Sequence, residues 1–170
     1  MDVIDLTNSP EFQIRYTDAS DESELKRILA DPTILPFFPM SDEKEVDDMV
    51  KIWIGYSRYK CCLTALYQGQ VVGFGALFLM PYVKLIHHSM VYLVVDPEFQ
   101  RKGVGTSLVR NLDHLAKNYF KIQRMQYEVF GKTPLIELLE KQGYQQIFTQ
   151  NRYVKDGDHY LPRIILEKVL

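Results

Sequence analysis

Six consecutive residues carry the clearest chemistry in this chain: Gln100-Arg101-Lys102-Gly103-Val104-Gly105. They follow an apolar run, residues 91–95, that ends at Asp96-Pro97. They open a segment in which Val104, Leu108, Val109, Leu112, Leu115 and Ala116 recur at helical spacing. A strand that passes directly into a helix leaves the first amide N–H groups of that helix without internal partners. Those amides and the positive end of the helix dipole form an anion site. Gly103 and Gly105 remove side chains that would hold a ligand off the backbone. Arg101 and Lys102 add positive charge, and Arg101 can offer paired hydrogen bonds to a phosphate. The ligand this arrangement suits is a pyrophosphate.

Two other phosphate loops fail against the letters. A Walker A loop needs G-x-x-x-x-G-K-[ST], which does not occur. A dinucleotide fingerprint needs a third glycine, whereas Gly103-Val104-Gly105 is followed by Thr106 and Ser107.

The elements that must position this turn can be read from apolar period. Phe12–Tyr16 reads as a first strand. A helix follows, with Ser20 or Asp21 as N-cap and Leu25, Ile28 and Leu29 on one stripe, ending near Asp31 ahead of Pro32. Residues 32–40 hold three prolines and two phenylalanines and read as a loop with an apolar tip. Ser41 or Asp42 starts a second helix carrying Val46, Met49, Val50, Trp53 and Ile54. From Cys61 the period becomes two, with a hairpin turn at Gln68-Gly69-Gln70 and a second strand apolar on both faces, which predicts a central place in the sheet. Beyond the glycine turn and its helix come a strand over 122–130, a helix over 135–142 stopped by Gly143, and two strands over 144–154 and His159–Val169 around a turn at Asp156-Gly157. The predicted order is β, α, α, β, β, β, α, β, α, β, β.

Composition bounds the function. The chain has 170 residues, 46% hydrophobic and 25% charged, with a formal net charge of -2. That is one domain, residues 1–170, of an ordinary globular kind. The slight acidity argues against a nucleic-acid partner, so any anion site is local. No apolar run is long enough for a membrane helix and the start shows no signal peptide, so no membrane partner and a cytoplasmic location are expected. Cys61 and Cys62 are adjacent, which disfavours a disulfide, and read as small apolar strand residues. His87, His88, His114 and His159 show no metal-ligand spacing.

The segment Gln100 to Gly105 resembles the [QR]-x-x-G-x-[GA] acyl-CoA signature of the GNAT superfamily of N-acyltransferases. The resemblance runs through the preceding strand, the following helix, "MQYEVF", "PLIELLEKQGY" and the final hairpin, and so covers nearly the whole chain. It implies an α/β (α+β) fold: a mixed, mostly antiparallel sheet of about seven strands flanked by about four helices, splayed between the fourth and fifth strands. It implies acetyl-CoA as co-substrate, no metal, and direct transfer of an acetyl group to a primary amine of a small molecule or peptide. A catalytically silent acyl-CoA-binding module is the alternative, and a homodimer through the C-terminal edge strands is compatible with the pattern.

Site roles follow from the same resemblance. Coenzyme A would pair through its pantetheine arm with backbone at Leu93, Val94 and Val95, with the N–H near Val94 or Val95 polarising the thioester. Its pyrophosphate would sit on Gln100, Arg101, Lys102, Gly103, Val104, Gly105 and Thr106, with Lys132 and Thr133 as further contacts. Glu128, in "YEVF", matches a glutamate-valine pair that supplies the base in some members. His88 is a second candidate for the base, although the usual position falls nearer Ser89. Where many members place a tyrosine acid this chain has Leu139, which leaves water or a tyrosine such as Tyr144 for that role. Phe37, Phe38 and Met40 would line the acceptor end.

Overall fold

The computed structural model describes residues 12–170; the opening segment lies outside them. The elements are β1 (Phe12–Tyr16), α1 (Glu22–Leu29), α2 (Glu43–Tyr56), β2 (Cys62–Tyr67), β3 (Gln70–Leu79), β4 (His88–Val95), α3 (Val104–Asn118), β5 (Arg124–Phe130), α4 (Pro134–Lys141), β6 (Gln145–Asp156) and β7 (His159–Val169). This is the predicted order. They build a seven-stranded sheet in the order β1-β2-β3-β4-β5-β7-β6. Every neighbouring pair is antiparallel except β4–β5.

Two cores cover the two faces. Val104, Leu108, Leu112 and Leu115 of α3 and Leu139 of α4 pack on one face with Val91 and Leu93. Leu25, Ile28, Val46, Val50 and Trp53 of α1 and α2 pack on the other with Phe74 and Val94. β3 is buried along nearly its whole length between β2 and β4, as its two apolar faces predicted. Its glycines are space-makers: a Cβ on Gly75 would stand 2.5 Å from Leu112 Cδ1 of α3.

Local chemistry differs from the sequence reading at three places. Asp21 holds the N-cap position of α1 as one of the two predicted candidates, but its side chain makes no cap bond there; the 3-10 turn that precedes α1 is capped by Asp18, whose side chain accepts from Ser20 N–H. Asp21 is instead buried, accepting a bidentate pair from Arg15 at 2.7 Å and a hydrogen bond from Thr64 Oγ1. The last hairpin turns one residue later than expected, with Asp156 paired to His159 and Gly157-Asp158 between them; Gly157 has φ +57, so the glycine takes the position that demands a left-handed backbone. The proline-rich loop contains a short 3-10 turn, Leu35–Phe37.

The feature that matters for function is the seam between β4 and β5. They pair in parallel over only four rungs, from His88 with Arg124 to Val91 with Tyr127. Beyond Val91 the strands part, because β5 continues along β7 while β4 continues along β3.

Candidate active site

Beyond that last rung the side of β4 that faces β5 has no paired strand among the described residues. Asp96 N–H donates to Val72 O across the β3 side. Residues on an antiparallel strand alternate in the direction of their hydrogen-bonding groups, so Val94 and Tyr92 also bond to β3. Leu93 and Val95 direct their N–H and C=O groups into the gap. Of the three residues expected to offer backbone groups to a ligand, Leu93 and Val95 face the gap and Val94 does not. Gln100 Nε2 already uses one group there, donating to Val95 O at 3.2 Å.

A cavity of about 470 Å³ fills the gap, a size suited to a small-molecule site. It runs from Arg101, Gly103, Gly105 and Thr106 at one end, past Leu93 to Val95, to Tyr92, Glu128, Phe130, Phe37 and Phe38 at the other. The first end is the predicted anion site. Arg101 (φ +60) and Gly103 (φ +91) turn the chain from β4 into α3. The α3 N-terminus has no side-chain cap, and a Cβ on Gly103 would meet nothing within 4 Å. Open space lies over uncapped amides, as anion binding requires. The turn is anchored from behind by Asp96, which is buried, accepts from Glu98 N–H and pairs with Arg27 of α1 at 2.8 Å.

Gly105 lines the cavity and has a second use. A Cβ there would stand 2.8 Å from Leu138 Cδ1, so this glycine also lets α4 close on α3. Val104 is buried in the core, and Lys102 lies over the Phe99 ring at 5.0 Å; neither these two nor Lys132 lines the cavity. Lys141 does, from the last turn of α4. Thr133 lines it too, with a buried Oγ1 that has no protein hydrogen-bond partner, an orphan that a ligand would satisfy.

At the far end Glu128 is held on both sides. Tyr92 Oη donates to its Oε1 at 2.8 Å and Arg163 Nε to its Oε2 at 2.5 Å. Burial first, then the Glu128 charge and the bond to it, push the Tyr92 hydroxyl well above its ordinary pKa, so it stays protonated. Phe37 and Phe38 line the cavity as expected, but Met40 is turned into the core with Val46, Val50 and Trp53.

Of the three catalytic candidates, two fall outside the cavity. His88 is four residues before Tyr92 on β4, roughly 13 Å along the strand, with its ring against His87. Tyr144 is buried below the sheet, its ring edge-on to Tyr127 and its hydroxyl donating to Asp113. Burial above all, then the neighbouring Tyr127 and Asp113, raises its pKa far above the ordinary value, which makes it a poor acid. Leu139, which stands where many members have the tyrosine acid, is fully buried, and its neighbour Leu138 lines the cavity. Tyr92 and Arg163 were not found from sequence. Tyr92 had a signal, because it continues the alternation of His88 along β4, but its register with Glu128 is a fact of pairing.

A splayed β4–β5 seam that leads from a glycine-turned helix N-terminus to a carboxylate defines an acyl-CoA transferase site. The model of the acetyltransferase (GNAT) family matches residues 24–144, and the chain belongs to that family. It is similar to the L-amino acid N-acetyltransferase AaaT of Escherichia coli (strain K12), 21% identical over 168 residues, which cover 94% of this chain and 98% of that one. Among solved structures it resembles the ribosomal-protein-alanine N-acetyltransferase of Brucella melitensis, with TM-score 0.79 and 21% identity over 92% of this chain and 99% of that one. It also resembles yncA of Salmonella typhimurium, solved with its cofactor acetyl-CoA, with TM-score 0.80 and 16% identity over 94% of both chains. The protein is thus an acetyl-CoA-dependent N-acetyltransferase of that family.

Proposed function

We propose that the chain, as one domain, transfers the acetyl group directly to an amine that enters between Phe37, Phe38 and Glu128. One observation carries the reading: an orientated carboxylate stands at the point where β4 and β5 part, in the same cavity as the open α3 N-terminus. Arg101, Lys141 and the first amides of α3 would hold the phosphates of coenzyme A, Thr133 Oγ1 would reach its polar groups, and Leu93 and Val95 would pair with the pantetheine arm. Bound acetyl-CoA supplies a thioester carbonyl, and direct transfer forms the C–N bond as the C–S bond breaks with its electron pair left on sulfur. Of the two gap-facing amides, Leu93 N–H is the nearer to Tyr92 and Glu128 and would polarise that carbonyl, and Glu128 would receive the amine proton. No tyrosine of α4 is needed as acid, because a thiolate of ordinary thiol pKa is a tolerable leaving group.

The charges favour an acceptor with one amine. Among the described residues the charged groups lining the cavity are Arg101, Glu128, Glu137 and Lys141. Glu137 pairs with Lys141 at 2.8 Å and Glu128 with Arg163, so no surplus acid is left to hold a polycation. A small molecule such as an amino acid, or a peptide N-terminus, fits; AaaT is an L-amino acid N-acetyltransferase and the Brucella enzyme a ribosomal-protein-alanine N-acetyltransferase, one in each of these classes. A cytoplasmic location is supported by two buried free cysteines, Cys61 and Cys62. A homodimer is supported by β6, an outer strand of twelve residues that is exposed along nearly its whole length.

The test is acetyl-CoA titration by calorimetry, followed by free-thiol release across amino acids, N-terminal peptides, polyamines and aminoglycosides. Binding with release on a single-amine acceptor is expected. Release confined to polyamines would overturn the charge argument, binding without release would favour an acyl-CoA-binding module, and absence of binding would overturn the site.

A further inference from the structure

We propose that Tyr92 is the group that meets the acceptor amine, and that it relays the amine proton to Glu128. The proposal rests on the transferase reading above and names a catalytic residue for it. Its first support is register. The last β4–β5 rung joins Val91 to Tyr127, so Tyr92 and Glu128 occupy the next rung, where the backbones have begun to separate. Paired residues of parallel strands project to the same face. The Tyr92–Glu128 bond of 2.8 Å therefore closes the apex of the gap where the backbone ladder stops.

The second support is hydrogen-bond inventory. Each carboxylate oxygen of Glu128 already has a donor, Tyr92 Oη on Oε1 and Arg163 Nε on Oε2. The Tyr92 hydroxyl has one proton, which is committed to Glu128, and two acceptor lone pairs. Tyr92 lines the cavity, so what its oxygen presents there is acceptor capacity for an amine N–H.

The proton then moves in two linked transfers. The nitrogen gives a proton to Tyr92 Oη while the tyrosine's own proton passes to Glu128 Oε1. One N–H bond is broken, one carboxyl O–H bond is formed, and the tyrosine ends as it began, with no tyrosinate accumulating. The nitrogen keeps the electron pair that attacks the carbonyl.

Both partners are held for this. The Tyr92 ring packs against Trp53, 6.0 Å between centroids, and edge-on to Phe78 at 4.9 Å. Arg163 is a positioning residue: its guanidinium lies 5.1 Å from the Tyr153 ring, which stacks on Phe130. β6 loses its ladder register between Gln150 and Val154, the stretch that contains Tyr153. Bulges of this kind re-aim side chains beside active sites.

The experiment compares the full-length protein with Tyr92→Phe, Glu128→Gln and the double variant on the best amine found above. Tyr92→Phe removes only the hydroxyl, and unchanged melting and acetyl-CoA affinity would verify that the fold and cofactor groove persist. Each single variant is expected to lose at least about tenfold in kcat, and the double variant no more than the worse single within about twofold, as for groups that act as one unit. The solvent deuterium isotope effect on kcat is expected to change in Tyr92→Phe, which a packing role would not produce. Wild-type kcat in Tyr92→Phe, or a double variant whose loss equals the product of the two singles, would overturn the relay while leaving the transferase reading intact. Absence of turnover in the unmutated protein would overturn that reading and the relay with it.

Discussion

At the scale of single residues the site divides into positions where the residue type alone decides the outcome and positions where pairing does. Gly103 is of the first kind. Its backbone lies at φ +91 with no atom within 4 Å of a Cβ position, so a side chain there is strained and intrudes on the space over the α3 amides. Gly103→Glu adds negative charge at that place. We expect acetyl-CoA affinity to fall at least 100-fold by calorimetry, while melting changes by the equivalent of about 1–2 kcal/mol of left-handed strain; near-normal affinity would remove the phosphate assignment. Type and spacing made Gln100, Arg101, Gly103 and Thr106 legible, because the chemistry of a helix N-terminus is local. Glu128 was legible as a candidate, but its partners Tyr92 and Arg163 are 36 and 35 residues away in sequence. Tyr144 and Met40 misled because exposure was assumed: each is an ordinary core residue whose destination is set by tertiary packing.

At the scale of elements, strands and helices were read correctly in number and order because each has a clean period. Ends were less legible, since caps compete: Asp18, Ser20 and Asp21 are all good N-cap residues, and Asp21 was taken by Arg15. That pair links β1 to the first helical turn, and through Thr64 to β2. Burial acts to raise the Asp21 carboxyl, and the donors from Arg15, Asp18 N–H and Thr64 outweigh it, so its pKa lies below the usual value. A lowered folded-state pKa means stability that is complete above the unfolded value, about 3.9, and lost as pH falls through the folded one. Asp21→Asn is expected to cost about 2 kcal/mol in urea unfolding at pH 7. The cost should shrink as pH falls below about 4. A cost that stays constant down to pH 2 would show that the charge contributes nothing.

For the whole molecule, the mixed sheet and its splay between the fourth and fifth strands were expected from the resemblance and not from any periodicity, because apolar alternation says which face is buried and not which strand lies beside which; the order of the strands is a fact of the structure. The outermost strand raises the one question of assembly. β6 exposes Ile147, Phe148 and Tyr153, and among the described residues no strand pairs with its outer edge. Sedimentation at micromolar concentration is expected to give twice the chain mass of 19.9 kDa, and a Lys substitution at Ile147 to shift it toward the single-chain value. A single-chain mass for the unsubstituted protein would dismiss edge pairing.

The parting of β4 from β5 also has a mechanical meaning. Four rungs join a block of four strands, β1 to β4, to a block of three, β5, β7 and β6. The sheet thus has a built-in crack line that begins at Val91, and Tyr92 with Glu128 is the stitch at its tip. A ligand that bonds to Leu93 and Val95 on one bank and packs against Val129 and Phe130 on the other would knit the two blocks together, so that occupancy and cohesion become the same event.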